Sequence, residues 1–332
     1  MVVALLALVS ACAEVPLPHT VKPAKRQVSA TPTPTPTAVS RDNTAELGIP
    51  GSYQIGRRQV TFTEPGHSGP TGENLGARVL VTVVQYPVAL RSDGQAVHGP
   101  FPVLLFAPGF MQCGGPYSDL LQAWASAGYV VATVNFPRTD CSVGTAADEA
   151  DLVNQPADMS YVLTRLLALN AQPQGWFSGL VNRDQIGVTG QSDGGDTVAA
   201  LAANACCTDQ RVRAVAVLSG AEWPPMPGRY FPRQAPPMLF VQGTADTINP
   251  PWMSLQLYQA DTAGIRYYLD LLGANHTGPY WGTNPVEQLV VRVTVAFLDR
   301  YVLGQAGALA VMARDGNVAG AAALISDGRL PP

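Results

Sequence analysis

Charged residues are scarce in this sequence. Asp, Glu, Lys and Arg make up only 13% of its 332 residues, and the formal net charge is -4. Apart from residues 22–26, the chain has no basic block. Proteins that bind nucleic acid usually present clustered Lys and Arg, so nucleic acid is not an expected partner. Hydrophobic residues reach 47%, enough for one large buried core.

The sequence also lacks an N-terminal hydrophobic run long enough to cross a bilayer. Residues 1–11 are apolar, but a membrane-spanning helix needs about 20 residues. The run ends in Val9-Ser10-Ala11-Cys12, which resembles a bacterial lipoprotein signal in which Cys12 is lipidated. No basic residues precede it, so either the true start lies upstream or the motif is a chance Ala-Cys pair; the lipoprotein signal is the favoured interpretation.

Residues 12–50 are predicted to be a tether. Residues 29–37 contain a Thr-Pro repeat, which favours extended polyproline II and buries nothing. A signal followed by such a stalk predicts export, as a cell-surface lipoprotein or a secreted protein. Contact with a membrane is expected only through the lipid anchor. The alternative is a disordered tail on a cytosolic protein.

From residue 51 onward, strand patterns alternate with helix patterns. This alternation predicts a mostly parallel sheet of eight strands, with helices on both faces. Residues 51–304 form the predicted main domain, and residues 305–332 an Ala- and Gly-rich extension with weak helices at most. The predicted strands are residues 53–63, 77–88, 101–107, 129–135, a run from Ile186, 212–218, 238–242 and 266–272. The predicted helices are residues 117–127, 147–170, 197–205, 251–263 and 285–303.

One predicted strand ends in Gly190-Gln191-Ser192-Asp193-Gly194-Gly195 and passes directly into an Ala-rich helix. The glycines permit a tight turn, which lifts the serine hydroxyl clear of the sheet, and the helix N-terminus favours negative charge. This setting predicts a nucleophile elbow with Ser192 as the nucleophile. The alternative is a Gly-rich turn whose serine only caps the helix.

A serine nucleophile needs a base to remove its proton. Of the four histidines, His276 lies in a loop directly after a predicted strand, where it can reach over the carboxyl edge of the sheet. We therefore predict that His276 is the base. His19 lies in the tether, His67 in a loop and His98 in a polar turn.

The base in turn needs an acid that orients it. Asp246 follows a predicted strand and turn, which places it at the same carboxyl edge. Its alternative role is that of an ordinary turn residue. Asp270 lies within a strand and Asp261 on a helix, so both are weaker candidates.

These motifs resemble those of the α/β-hydrolase superfamily, and within it the cutinase-like polyester hydrolases, platelet-activating-factor acetylhydrolases and chlorophyllases. The resemblance covers residues 53–303 and includes Pro108-Gly109-Phe110, the Ser192 motif, Gly243-x-x-Asp246 and Gly273-Ala274-Asn275-His276. It implies an α/β-hydrolase fold with the triad in the order Ser, Asp, His. The group commonly has His before the serine and a hydrophobic residue after it; here these are Gln191 and Asp193.

The resemblance also implies roles around the serine. The backbone N–H groups of Asp193 and Phe110 would form the oxyanion hole. Phe110 and Trp223 could flank the scissile ester as aromatic walls, although Trp223 could equally fill the core. Residues 219–237 are too short and proline-rich for a helical lid, so an open site is expected.

Export permits disulfides. Cys113 and Cys141 follow the third and fourth predicted strands, which are neighbours in α/β-hydrolases, so the resemblance implies a disulfide between them. Cys206 and Cys207 are adjacent in sequence, and a bridge between neighbours would be strained. Their state is left open.

The expected function is therefore carboxylic-ester hydrolysis, of the carboxylesterase, lipase or cutinase type, on small, medium or polymeric esters. The sequence contains no metal-ligand cluster or phosphate-binding loop, so no metal or cofactor is expected. A monomer is expected. The alternatives are an acyltransferase that uses the same triad and an inactive surface-binding lipoprotein.

Overall fold

A computed structural model of the chain describes residue 50, residues 53–91 and residues 99–326. The predicted signal and nearly all of the predicted tether, including Cys12 and His19, lie outside the described residues. His98 lies outside them as well.

Strands and helices alternate along the described chain. The strands are β1 (Tyr53–Glu64), β2 (His67–Ser68), β3 (Asn74–Leu75), β4 (Arg78–Arg91), β5 (Phe101–Ala107), β6 (Val130–Asn135), β7 (Val181–Gln191), β8 (Ala214–Leu218), β9 (Met238–Gly243), β10 (Arg266–Leu271) and β11 (Ala322–Ser326). The α-helices are α1 (Ser118–Ser126), α2 (Gln155–Asn170), α3 (Asp193–Ala203), α4 (Pro251–Ala260), α5 (Pro285–Tyr301) and α6 (Ala308–Asp315). A 3-10 helix, Glu149–Asn154, leads into α2.

Nine strands form one mixed sheet, in the order β1-β4-β6-β5-β7-β8-β9-β10-β11. Strands β6, β5, β7, β8, β9 and β10 are parallel, whereas β1 and β4 at one edge and β11 at the other pair antiparallel with their neighbours. The described residues of β2 and β3 form a separate two-stranded hairpin. The prediction of a mostly parallel sheet is confirmed.

The predicted count of eight strands is wrong, because β11 adds a ninth strand to the sheet. It lies in the segment after Gly304, where only weak helices were expected; that segment forms α6 and then β11. β11 is a short edge strand in which only Ala322 and Leu324 are buried. Two buried positions leave too little periodicity to mark a strand in the sequence.

Helices cover both faces of the sheet. On β5, Leu104 and Phe106 face a cluster formed with α1, α5 and α6, and the alternate residues face a cluster formed with α2, α3 and α4. This alternation follows from the two-residue period of a strand. Burial of each large apolar side chain contributes roughly 1.5–3 kcal/mol. Among the helices that the structure describes, none has the length and hydropathy of a membrane span.

A buried ion cluster fixes the 3-10 helix and α2 against β4. Arg78 donates two hydrogen bonds to Asp151, at 2.9 and 2.7 Å, and two to Asp158, both at 2.6 Å. Burial lowers the pKa of Arg78, but the hydrogen bonds and charges of the two carboxylates outweigh it and raise this pKa above its usual value. Burial raises the pKa of Asp158 to about 7. Arg78 lowers this pKa, but its single guanidinium is shared with Asp151. Loss of one partner from such a cluster would leave a buried charge uncompensated.

Candidate active site

Ser192 lies in a strained turn between β7 and α3. Its φ is 56° and its ψ is -127°, in a region that side-chain-bearing residues rarely occupy. The turn is possible because its neighbours are glycines: a Cβ at Gly190 would lie 2.1 Å from the carbonyl oxygen of Gly194. A Cβ at Gly194 would lie 1.9 Å from the carbonyl oxygen of Ala107 on β5. The sequence motif therefore forms the predicted strand–turn–helix.

The structure brings Ser192, His276 and Asp246 together at the carboxyl edge of the sheet. His276 follows β10, and its Nε2 lies 2.9 Å from the Ser192 hydroxyl oxygen. Its Nδ1 lies 2.7 Å from Oδ2 of Asp246, which follows β9. A carboxylate accepts only, so Nδ1 carries the proton and Nε2 is free to accept from the serine. This arrangement suits removal of the serine proton.

The carboxylate of Asp246 is fully buried and fixed by four donors. The backbone N–H groups of Ile248 and Asn249 donate to Oδ1, at 2.9 and 3.0 Å. Besides His276, the amide of Gln242 donates to Oδ2 at 3.1 Å. The predictions had not included Gln242, which occupies the penultimate position of β9. These contacts set the orientation of the carboxylate towards His276.

Among the described residues, those that the sequence made weaker candidates for the acid and the base lie outside the proposed triad. Asp270 is half-buried within β10, and Asp261 accepts a hydrogen bond from the backbone N–H of Gly264 at the end of α4. His67 lies in the β2–β3 hairpin, and its Nδ1 is 3.2 Å from the carbonyl oxygen of Pro65.

The loop after β5 lies directly against the nucleophile. A Cβ at Gly109 would be 3.0 Å from Oε1 of Gln191 and 3.1 Å from the Cβ of Ser192, so any larger residue would crowd the nucleophile. The next residue is Phe110, which is half-buried, and the N–H of Met111 donates to the carbonyl oxygen of Thr139 at 2.8 Å. The N–H of Asp193 opens α3 at the positive end of the helix. Both N–H groups predicted for the oxyanion hole are thus carried by segments adjacent to Ser192.

A chain of hydrogen bonds that the sequence did not predict reaches the same histidine. The hydroxyl of Tyr117 accepts from the N–H of Gly109 at 3.2 Å and donates to Oε1 of Gln191 at 2.8 Å. The Gln191 amide nitrogen lies 3.1 Å from the carbonyl oxygen of His276 and 3.3 Å from its Nε2. Gln191 stood out as a departure from the family pattern, whereas nothing in the sequence pointed to Tyr117.

Comparison with known proteins gives a family match. Residues 76–240 match the model of the chlorophyllase family, within the α/β-hydrolase superfamily of serine esterases. The matched part of the chain belongs to the α/β-hydrolase superfamily. The match includes Ser192 and Phe110 and ends before Asp246 and His276. It indicates that the protein is a hydrolase of the esterase class. No curated protein matches the chain.

A disulfide of the hydrolase joins the loops after β5 and β6. It links Cys113 to Cys141, the pair predicted by resemblance, with their Cα atoms 5.3 Å apart. The N–H of Cys141 also points to Sγ of Cys113, at 3.3 Å. A second disulfide joins the neighbours Cys206 and Cys207, whose state the sequence had left open.

The segment between β8 and β9 of the hydrolase contains no helix over its described residues, 219–237. Trp223, on this segment, is half-buried and packs on a small cluster of Val153, Ala200 and Met226. The position is compatible with either role predicted for Trp223, the aromatic wall or the core filling.

Two carboxyl groups lie in the first turn of α3. Burial, assisted by the charge of Glu149, raises the pKa of Asp193 to about 7. Burial also raises the pKa of Asp196 well above its usual value, although the Ala221 N–H donates to this carboxyl at 2.5 Å. The hydrolase therefore carries two poorly solvated acids within four residues of Ser192. Among the described residues, no group of three or more His, Cys, Asp or Glu side chains could hold a metal ion.

Proposed function

We propose that the protein is a serine carboxylic-ester hydrolase that works through an acyl-enzyme intermediate. The observation that carries the proposal is the continuous contact from Ser192 through His276 to Asp246, with separations of 2.9 and 2.7 Å. The strained backbone of Ser192 supports it, because such strain is kept at functional sites.

In the acylation step, the oxygen of Ser192 attacks the ester carbonyl carbon as its proton passes to Nε2 of His276. Asp246 stabilises the imidazolium that forms. The N–H groups of Asp193 and Phe110 donate to the negative oxygen of the tetrahedral intermediate. Collapse of the intermediate expels the alcohol, which takes the proton from His276, and the acyl group remains on Ser192.

In the deacylation step, His276 removes a proton from water, which attacks the acyl-enzyme carbonyl. The second tetrahedral intermediate collapses, Ser192 regains its proton from His276, and the carboxylic acid leaves. Each step moves one proton between the substrate or water and His276, so no cofactor is required.

The substrates are proposed to be small, medium or polymeric esters that enter an open site. Support comes from the connection after β8, which has no helix to displace in the described residues. The half-buried side chains of Phe110 and Trp223 are proposed to contact the ester. Export as a surface lipoprotein or secreted protein remains part of the proposal, and the disulfide between Cys113 and Cys141 is compatible with it.

A panel of esters of graded chain length tests this function. The purified protein is expected to hydrolyse short- and medium-chain esters, and the Ser192→Ala variant is expected to lose kcat by roughly 10⁵- to 10⁶-fold. His276→Ala should lower kcat by a similar factor. The double variant should lower it little further, because the two residues act as a unit. Hydrolysis by Ser192→Ala within tenfold of the parent would show that another group carries the reaction.

A further inference from the structure

The side chain that follows the nucleophile is an unusual one for an esterase site. Asp193 is 8% exposed, and its Oδ2 has no hydrogen-bond partner among the described residues. A buried carboxylate normally has a cation or several donors as partners. Burial raises the pKa of Asp193, and the nearby charge of Glu149, another carboxylate, raises it further. The backbone N–H of Asp193 itself lowers this pKa. Among the described residues, the carboxyl group beside Ser192 therefore has no counter-charge when it is ionised.

The acidic surroundings extend away from the serine along one side. Glu149 is exposed at the start of the 3-10 helix, and Asp196 lies one helical turn beyond Asp193. Burial raises the pKa of the Tyr230 hydroxyl, and the nearby charges of Asp196 and Glu222 raise it further. Two helices and one loop thus carry carboxyl groups to this region.

Aromatic rings line the same region. Trp223 and Tyr230 both pack on the cluster of Val153, Ala200 and Met226. Val153 belongs to the same 3-10 helix as Glu149, and Ala200 to the same helix as Asp193. The faces of aromatic rings attract ammonium groups, and ionised carboxyl groups nearby add to that attraction.

The position of Asp193 also bears on the chemistry. Its N–H is a proposed donor to the oxyanion, so its carboxylate lies next to the point where negative charge develops. In its ionised form, the carboxylate of Asp193 opposes the developing charge, whereas a bound cation would offset it. The arrangement favours a substrate that brings a positive charge with it.

We propose that Asp193, with Glu149 on its solvent side, forms a subsite for a cationic nitrogen group carried by the ester. The proposal rests on the proposed function, because it assigns a substrate class to the same site. Burial and Glu149 hold the pKa of Asp193 near 7, and a bound cation would favour its ionised form.

Matched esters test the subsite. One pair carries trimethylammonium in the acyl chain or a tert-butyl group in its place. The other pair places the same two groups in the alcohol, as in choline acetate and its carbon analogue. We expect kcat/KM of the parent to favour the cationic member of one pair by about tenfold or more. The pair that shows the preference identifies the side of the ester on which the cation lies.

Charge-neutral variants locate the effect. Asp193→Asn should lower the cationic-to-uncharged ratio by about tenfold, and Glu149→Gln should lower it less, since Glu149 is exposed. Asp184→Asn removes the same charge from an exposed position on β7 towards its other end and should keep the parent ratio. A parent ratio at or below one, or an unchanged ratio in Asp193→Asn, would overturn the subsite.

A binding measurement separates the subsite from the proposed function. The Ser192→Ala protein should bind tetramethylammonium by isothermal titration calorimetry, and the additional change Asp193→Asn should weaken that binding about tenfold. If the parent hydrolyses no ester of either pair yet the calorimetric difference is found, the proposed function fails and the cation site stands. If the parent hydrolyses the esters but shows no difference in binding or in the cationic-to-uncharged ratio, the proposed function stands and the cation site fails.

Discussion

At the residue scale, the contact between Gln191 and His276 is the main feature that separates this site from a bare triad. The Gln191 side chain joins the hydroxyl of Tyr117 to the backbone of His276. Tyr117 is buried and also contacts the N–H of Gly109, in the loop beside Ser192. Gln191 thus acts as a positioning residue that holds the histidine loop in register with the loop after β5.

Replacement of Gln191 tests this role. Gln191→Leu removes the amide contacts and should lower kcat roughly tenfold to a hundredfold, with KM changed much less, because each lost hydrogen bond is worth about 0.5–1.5 kcal/mol. Tyr117→Phe should lower kcat less, since the Gln191 amide and its contacts with His276 remain. The double variant should be little worse than Gln191→Leu, because the two side chains act in series.

Rates per active site, counted by titration with a fluorophosphonate, separate this role from simple destabilisation. A purely structural role would lower the melting temperature and the number of active sites but leave kcat per site unchanged. Additive losses in the double variant would contradict a serial contact.

The sequence predicted the proximity of the three proposed triad residues better than that of the side chains that support them. Ser192, Asp246 and His276 each follow a strand, so a strand count places them at one edge. Tyr117 contacts Gln191 across 74 residues through the side chains alone. No periodicity or turn signal reports a contact of that kind, which depends on how α1 packs on the sheet.

At the scale of the element, α3 carries two opposing electrostatic effects. The helix N-terminus favours the ionised forms of Asp193 and Asp196, which lie in its first turn. Burial disfavours them, and the direction of both pKa changes shows that burial dominates. The folded chain therefore holds protons on these groups that the unfolded chain releases.

This proton uptake predicts how stability depends on pH. Asp196 contributes stability that is complete below its unfolded pKa and is lost as pH rises towards its raised folded pKa. Asp196→Asn keeps an acceptor for the Ala221 N–H but has no proton to lose. Its unfolding free energy, relative to the parent, should therefore rise with pH above about 4, by up to about 1.4 kcal/mol per pH unit.

Urea denaturation followed by circular dichroism at pH 5, 6, 7 and 8 measures this difference. Asp184→Asn, at an exposed position, serves as the control and should show little change with pH. A difference between Asp196→Asn and the parent that stays constant or falls as pH rises would contradict the assignment of a raised pKa.

At the scale of the whole molecule, the sheet order explains why the site assembles. β5, β7, β9 and β10 run parallel in one sheet, so the loops that follow them meet at one edge. The disulfide from Cys113 to Cys141 ties two of the loops at that edge. The central strands are apolar and fully buried, as in β5, β8 and β9, and their alternation with helix patterns made this layout predictable from sequence.

The edges of the sheet were less predictable than its centre. β11 lies at the edge of the sheet, antiparallel to β10, and its residues Ala322 to Ser326 carry little apolar periodicity. Its place depends on α6 packing against α5, which is a tertiary contact. Central strands, buried on both faces, have strong local signals, whereas an edge strand depends on its neighbours.

The most direct test of the central claim is labelling with a fluorophosphonate followed by peptide mapping. The reagent reacts with a serine that an adjacent histidine activates. We expect about one adduct per chain, located on Ser192, abolished in Ser192→Ala and strongly slowed in His276→Ala. The absence of labelling in folded protein, or an adduct on a different serine, would contradict Ser192 as the nucleophile.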